Sequence, residues 1–187
     1  MNYHKKFFTA EKKLLNFLQS DGEQLSESLD FSNALGTPLI IALHKSTFQN
    51  LQNNNIGILS NNKLRKDISR FYDFFHYALV TMENQYPAYQ TYTDKKPFFQ
   101  KYFKVSGENL TITNIDTNNE EYFNPDFVKQ SMELTNIKSA REDEGFNIEL
   151  NESLFFRNVK IGFYEDMLNR IRELNEVIEI ELKNLQN

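Results

Sequence analysis

The stretch STFQNLQNNNIGILSNNKLRKDISRFYDFF, residues 46–75, is the most strongly patterned part of the first two-thirds of the chain. Ser46 and Gln49 have the spacing of a capping box, which predicts the start of a short helix. The Asn-rich run that follows, with Gly57, favours a tight turn because asparagine and glycine tolerate positive φ. Ser60 or Asn61 is then suited to cap a second helix. The stretch therefore predicts a short helix, a polar turn and a long helix.

The second of these helices is amphipathic. Apolar side chains recur along it every three or four residues, which is the spacing of one buried helix face. The pattern ends at Tyr86-Pro87, because proline disfavours helical backbone in the residue before it. The predicted inward-facing positions are Leu64, Ile68, Phe71, Phe75, Ala78 or Leu79, and Met82.

Two helices are predicted before this stretch. The first covers about residues 9–19, with Thr9 as its N-cap and a leucine stripe on one face. The second covers about residues 23–35, with Gly36 at the C′ position and Pro38 as a stop. Both must bury their apolar stripes against other elements of the chain.

The pattern is less regular after residue 87. Residues 88–104 are rich in Tyr, Phe and Lys, with Asp94 suited to cap a helix and Pro97 near its first turn. Residues 105–124 predict an irregular excursion with a short strand pair, because residues 110–113 alternate with β-compatible side chains. We expect a modest helix over residues 126–137 and an acidic loop over residues 141–145.

The last predicted helix, about residues 151–185, is the longest and carries a heptad pattern. Positions 161, 168, 175 and 182 are its a positions, and 164, 171, 178 and 185 are its d positions. Asn175 at an a position resembles the polar residue that fixes register in coiled coils. We favour packing of this helix along its own domain. The alternative is a dimer through Ile161, Leu168, Ile171, Ile178 and Leu182.

Together these patterns predict an all-α fold. We expect an irregular helical bundle with a long C-terminal amphipathic helix and a short irregular or β excursion near residues 105–124. The 187 residues suffice for a single helical domain spanning residues 1–187.

The charge of the chain is uneven. Residues 1–104 carry 13 basic and 9 acidic side chains, whereas residues 105–187 carry 8 basic and 17 acidic ones. Two separately solvated faces are the favoured interpretation, and pairing between the halves or with a second copy is the alternative. The net charge of −5 argues against general nucleic-acid binding, which requires Lys and Arg to neutralise phosphates.

Most catalytic and cofactor motifs are absent from the sequence. It contains no cysteine, which excludes disulfides, Cys-ligated zinc, iron–sulfur clusters and a thiol nucleophile. Its six glycines form no phosphate-binding loop. His4, His44 and His76 are far apart and match no metal-binding spacing. We therefore expect no cofactor, no metal and no catalytic constellation.

A partner surface is the remaining hypothesis for a site. Residues 95–104, KKPFFQKYFK, interleave bases with aromatics, a pattern that suits anionic lipid head groups or single-stranded nucleic acid. The favoured interpretation is that these aromatics complete the core while the lysines stay in water. The candidate surface comprises Arg70, Phe71, Phe75, Lys95, Lys96, Phe99, Lys101, Tyr102 and Lys104.

In several of these segments the chain resembles a family of uncharacterised bacterial proteins with a single N-terminal membrane anchor and a helical extracytoplasmic domain. The matching segments are residues 46–51 (STFQNL) and 55–61 (NIGILSN), followed by Leu64-Arg65, Ile68 and Phe71-Tyr72, with a looser likeness over residues 170–185. The family's anchor has no counterpart in this sequence. The resemblance implies a location on the periplasmic side of the inner membrane; without it, we expect a cytoplasmic location.

Three classes of function follow from these observations. The first is a non-enzymatic interaction or scaffold domain, membrane-proximal in its native context, with a protein partner or self-association. The second is a helix-turn-helix-like regulatory or nucleic-acid-binding domain, suggested by the shape of residues 46–80. The third is an enzyme with a site assembled from dispersed Asp, Glu, His and Tyr residues.

Overall fold

The computed structural model describes residues 2–22, 31–36, 46–53, 59, 61–86, 88–112 and 128–186. The fold is all-α with a long C-terminal helix and one small sheet, as predicted. The predicted turn at residues 54–58 and Pro38 lie outside the described residues, as do His44, the first part of the second predicted helix and residues 113–124 of the predicted excursion. None of the helices in the described ranges is both long and apolar enough to cross a bilayer.

Eight α-helices, one π-helical segment and two strands make up the described part of the chain. Their bounds are α1 (Asn2–Gln19), α2 (Phe31–Leu35), α3 (Ser46–Asn53), α4 (Asn62–Arg70), a π-helical segment (Phe71–His76), α5 (Tyr77–Gln85), α6 (Ala88–Tyr102), β1 (Phe103–Ile112), β2 (Val128–Leu134), α7 (Ile137–Glu142) and α8 (Glu144–Gln186).

These elements group into two compact units. The first unit comprises Met1–Leu39 and Ala88–Val159, and the second comprises Ile40–Pro87 and Lys160–Asn187. Helix α8 supplies residues to both, because the division falls within it. The sequence predicts one helical domain, and each of the two units has buried clusters made of its own residues.

Helix α1 begins seven residues before the predicted N-cap. Thr9 lies inside the helix, and its hydroxyl donates to the Lys5 carbonyl at 2.9 Å, one turn earlier. The earlier start follows from burial, because His4 and Phe7 continue the buried leucine stripe toward the N-terminus. The predicted start was therefore wrong, although the amphipathic helix itself is confirmed.

Helix α6 runs unbroken through Pro97. The prediction that Asp94 caps a helix and that Pro97 lies near its first turn is wrong. Asp94 instead accepts a hydrogen bond from the Gln90 side chain at 2.6 Å, one helical turn away. Pro97 is exposed, while Lys95 and Phe99 on either side are buried. Packing of the helix thus overrides the local preference of proline.

The small sheet replaces a predicted helix. Strands β1 and β2 are antiparallel, pairing Phe103 with Leu134 and Ser106 with Ser131. The helix predicted over residues 126–137 is wrong, since β2 occupies most of it and α7 begins at its end. The predicted acidic loop is also wrong, because residues 141–145 end α7 and start α8. Only long-range pairing with β1 distinguishes such a strand from a helix.

The core of the first unit is aromatic. Phe146 at the start of α8 is fully buried, and its ring stacks on Phe98 with centroids 5.2 Å apart. Rings from the end of α6 and the start of β1 surround it, including Phe99, Tyr102 and Phe103. The aromatics of residues 95–104 therefore complete a core, as the favoured interpretation predicts, and that core is built on the start of the C-terminal helix.

The second unit is built on the predicted long helix. The Asn61 side chain caps α4 by accepting from the Lys63 and Leu64 amides, as predicted. Leu64 and Ile68 are buried together with Phe48 of α3. The inward-facing pattern is therefore confirmed at Leu64 and Ile68 and continues at the buried Leu79, whereas Phe71, Phe75 and Met82 are half-buried. The sequence did not predict that the helix widens to π-helical turns over Phe71–His76.

Helix α8 packs within the second unit through a face that only partly matches the heptad. Tyr164 and Met167 are buried and Leu174 is half-buried, whereas the a-position residues Asn175 and Leu182 are exposed. The favoured prediction of packing along its own chain is confirmed. The buried face drifts from the a positions because 3.6 residues per turn does not match a strict heptad.

We expect opposite effects from alanine at two glycines. Gly36 has φ of +82°, and a Cβ there would lie 2.7 Å from an Arg157 terminal nitrogen. Gly36→Ala should lower the free energy of unfolding by about 1–2 kcal/mol because the left-handed conformation and the contact both oppose it. Gly162 lies in α8 with open space at its Cβ, so Gly162→Ala should raise it by about 0.5–1 kcal/mol. Urea unfolding measures both values, and equal signs would contradict the prediction.

Candidate functional site

The second unit contains an open groove between the α4–π segment and α8. Its volume is about 290 Å³, close to the lower end of the range for ligand pockets. It combines charged and apolar side chains, all from the second unit. The lining residues are Asp67, Arg70, Phe71, Phe75, Arg170, Glu173, Leu174 and Val177. Three of them, Arg70, Phe71 and Phe75, belong to the surface predicted from the sequence.

The π-helical segment supplies two lining rings of the groove. Phe71 and Phe75 are half-buried and tilted against each other, with centroids 6.3 Å apart. A π-helical turn contains one residue more than an α-helical turn and re-aims the side chains around it. Such turns occur frequently at functional sites. Phe74, on the same segment, is 61% exposed and lies outside the lining.

A stacked arginine forms one wall of the groove. The Arg170 guanidinium carbon lies 4.1 Å from the centroid of the Phe75 ring, a cation–π contact. The Arg170 Nε donates to Asp166 at 2.8 Å, one turn away on α8. The guanidinium is therefore held over the ring by two contacts and presents an ordered cationic edge.

Other charges in the groove remain available for a partner. Within the described part of the chain, the side chains of Asp67, Arg70 and Glu173 make no hydrogen bond or ion pair. Arg70 is exposed. A free guanidinium is a strong donor to carboxylates, to which it can bond through two N–H groups. The groove can thus combine an apolar contact with directional polar contacts.

The predicted surface in the first unit needs correction. Lys95, Phe99 and Tyr102 are no more than 3% exposed, so they do not contribute to an accessible surface. Lys96, Lys101 and Lys104 are exposed, as the favoured interpretation predicts. That interpretation is wrong for Lys95 alone, because a buried carboxylate compensates its charge.

This carboxylate is Glu11, which organises a buried ionic cluster in the first unit. Its Oε1 accepts from the Lys95 ammonium, from the Ser153 hydroxyl at 2.9 Å and from the Arg157 Nε at 2.9 Å. Lys95 also donates to the Ala34 carbonyl at 2.7 Å. The cluster ties α1, α2, α6 and α8 together.

Burial dominates the electrostatics of this cluster. It lowers the pKa of Lys95 well below its ordinary value, and the nearby Arg157 charge lowers it further, while Glu149 opposes the shift. It also lowers the pKa of Arg157 to about 10. Two cations share one carboxylate, so Glu11 is the group on which the cluster depends. Because Glu11 and Lys95 are fully buried, we interpret the cluster as structural.

A surface carboxylate caps the start of α8. The Asp143 Oδ1 accepts from the Phe146 amide at 3.1 Å, while its Oδ2 accepts from the Tyr102 hydroxyl and from Lys101 at 2.9 Å. These hydrogen bonds, led by that from Tyr102, lower the pKa of Asp143 to about 2. The stabilisation is present above the unfolded pKa of about 3.9 and is lost as the pH falls toward 2.

We expect two substitutions of Asp143 to separate the cap from the charge. Asp143→Asn keeps a capping side chain but removes the titration, so the loss of stability between about pH 4 and pH 2 should become shallower. Asp143→Ala should lower the free energy of unfolding by about 1 kcal/mol at neutral pH. Urea unfolding across this pH range measures both effects. An unchanged pH slope in Asp143→Asn would contradict the assignment.

Sequence reasoning missed the α8 side of the groove and the Glu11 cluster. Glu11 gave a usable signal, because it interrupts the apolar stripe of α1 between Phe7 and Leu14. For Arg170 the sequence gave no signal other than its spacing of four residues from Asp166. Asn175, the predicted register residue, is exposed on α8. No group of three or more metal-ligating side chains occurs among the described residues.

No family model, no curated protein and no solved structure matches this chain.

Proposed function

We propose that the chain is a non-enzymatic interaction domain that binds a partner protein through the groove of the second unit. The observation that carries the proposal is that two accessible arginines, Arg70 and Arg170, line the groove together with half-buried phenylalanines, and that Arg170 lies over the Phe75 ring. Arginine and aromatic side chains are enriched among the residues that dominate binding energy at protein interfaces.

The shape and chemistry of the groove favour an amphipathic helical segment as the bound element. Two helices form its walls, and such grooves receive the apolar face of a third helix in many complexes. Phe71, Phe75, Leu174 and Val177 offer contacts to an apolar anchor. Arg70 is placed to pair with a carboxylate beside that anchor.

A displayed library of amphipathic helical peptides tests this function. Peptides selected against the chain are measured by fluorescence anisotropy with the wild type and with Phe75→Ala and Arg70→Glu variants. We expect each substitution to cost about 2 kcal/mol of binding, roughly a 30-fold weaker affinity. Selected peptides should carry an acidic residue next to an apolar anchor.

Phe74→Ala serves as the matched control. Phe74 neighbours the groove on the same segment but does not line it, so this variant should bind the selected peptides as the wild type does. Equal binding by the wild type and the Phe75→Ala variant would reject the groove as the site. Selection of no peptide at all would reject the proposed function.

The family resemblance adds a cellular setting to the proposal. It supports a location beside the bacterial inner membrane, on its periplasmic side. A fusion of the complete native gene product to alkaline phosphatase tests this, because that enzyme is active only outside the cytoplasm. Phosphatase activity in intact cells is expected, and its absence would favour the cytoplasm.

A further inference from the structure

One face of α8 in the second unit carries accessible apolar side chains. Leu182 is 54% exposed and Ile171 is 36% exposed, while Leu168 is half-buried. Asn175 lies between them on the same side of the helix and is exposed. Spacings of three, four and seven residues place side chains on one helix face. We call this set the α8 seam.

The α8 seam is separate from the surfaces already described. Met167 packs in the interior of the second unit, and Leu174 and Val177 line its groove. None of the three belongs to the seam. Leu182 continues the heptad spacing and is 54% exposed, a pattern that a second helix would complete.

The charges beside the α8 seam favour a second copy of the chain in antiparallel orientation. Arg172 and Glu179 are exposed and occupy successive e positions of the heptad. With a two-fold axis near Asn175, Arg172 of one copy lies opposite Glu179 of the other, and symmetry repeats the pair. A parallel pair would instead place these charges beside Met167 and Leu174 of the second copy.

We propose that the chain forms an antiparallel homodimer through Leu168, Ile171 and Leu182, with reciprocal Arg172–Glu179 ion pairs. The symmetric interface buries the apolar seam and satisfies the flanking charges at the same time. The groove of the second unit takes no part in it, so the peptide-binding experiment and the dimer experiment can fail independently.

Sedimentation equilibrium over a wide concentration range tests the dimer. The wild type is expected to reach twice the monomer mass at high concentration. Ile171→Glu should raise the dissociation constant by about tenfold or more, because it places a charge in an apolar contact. Ile180→Glu is the matched control, since Ile180 is 59% exposed and lies nine residues away on the opposite side of α8.

Charge reversal tests the orientation. Arg172→Glu and Glu179→Arg should each weaken the dimer, and the double variant should restore it because the ion pairs are re-formed with reversed sign. The chain contains no cysteine, so Lys183→Cys carries a unique spin label. The distance between the backbones of the two copies at residue 183 is expected to be about 20 Å in the antiparallel dimer, against about 10 Å in a parallel one.

Three results would overturn the proposal. One is a wild-type chain that stays monomeric at every concentration. Another is Ile180→Glu dissociating the dimer as strongly as Ile171→Glu. The third is a short label distance together with no rescue by the double charge reversal.

Discussion

Glu11→Ala is expected to lower the free energy of unfolding by about 3–5 kcal/mol, because it leaves buried positive charge without a counter-ion. Glu11 is the carboxylate to which Lys95, Ser153 and Arg157 all donate. Removing it leaves two cationic side chains in a site that water does not reach, with their hydrogen bonds to the carboxylate unmade.

Urea unfolding monitored by circular dichroism measures this effect. The expected result is a lower urea midpoint with an unchanged dependence of the free energy of unfolding on urea concentration. Glu142→Ala is the control, because Glu142 is exposed and, among the described residues, makes a single 3.9 Å ion pair, with Lys138. It should change stability by less than about 0.5 kcal/mol.

A second substitution distinguishes lost charge compensation from lost packing. Lys95→Met in the Glu11→Ala background should recover part of the stability, because one of the two uncompensated cations disappears. Additive losses in the double variant would show that the cluster does not act as a unit. A decrease in the free energy of unfolding of less than about 1 kcal/mol for Glu11→Ala would show that the ionic cluster does not depend on this carboxylate.

Phe146→Ala is expected to cost about 3–5 kcal/mol, the range for deleting a buried aromatic ring from a packed core. Phe146 is fully buried, and four rings from α6 and β1 lie around it. The neighbouring rings cannot all collapse into the space, because each is held by its own backbone. A cavity would therefore remain, and its cost adds to the lost transfer free energy.

Phe155→Ala is the control on the same helix. Phe155 is 64% exposed, so the same deletion should change stability by less than about 0.5 kcal/mol. Urea unfolding of the two variants beside the wild type gives the comparison. Similar losses for Phe146→Ala and Phe155→Ala would contradict the assigned core.

Local patterns in the sequence were sufficient for most helices. Asn61 and the recurrence of Leu64, Ile68 and Phe71 predict α4 and its buried face correctly, since caps and stripes are encoded within a few turns. Gly36 marks the end of α2 for a similar reason, because it alone tolerates the left-handed backbone there. Arg70, Phe71 and Phe75, which the sequence offered as a candidate partner surface, lie on one side of the groove.

Other features required the tertiary structure. Strand β2 forms where a helix was predicted. The local pattern did not reveal it, because its pairing partner β1 lies elsewhere in the chain. Pro97 lies inside α6 because burial of Lys95 and Phe99 outweighs the local preference.

The sequence by itself determined the all-α class, the long terminal helix and the absence of cysteine chemistry. Only the tertiary structure decided that Lys95 is interior and that Arg170 stacks on Phe75. The physical reason is the same for both. Helix faces are set by residues three and four apart, whereas ion pairs such as Lys95–Glu11 and ring contacts such as Arg170–Phe75 join residues that only the fold brings together.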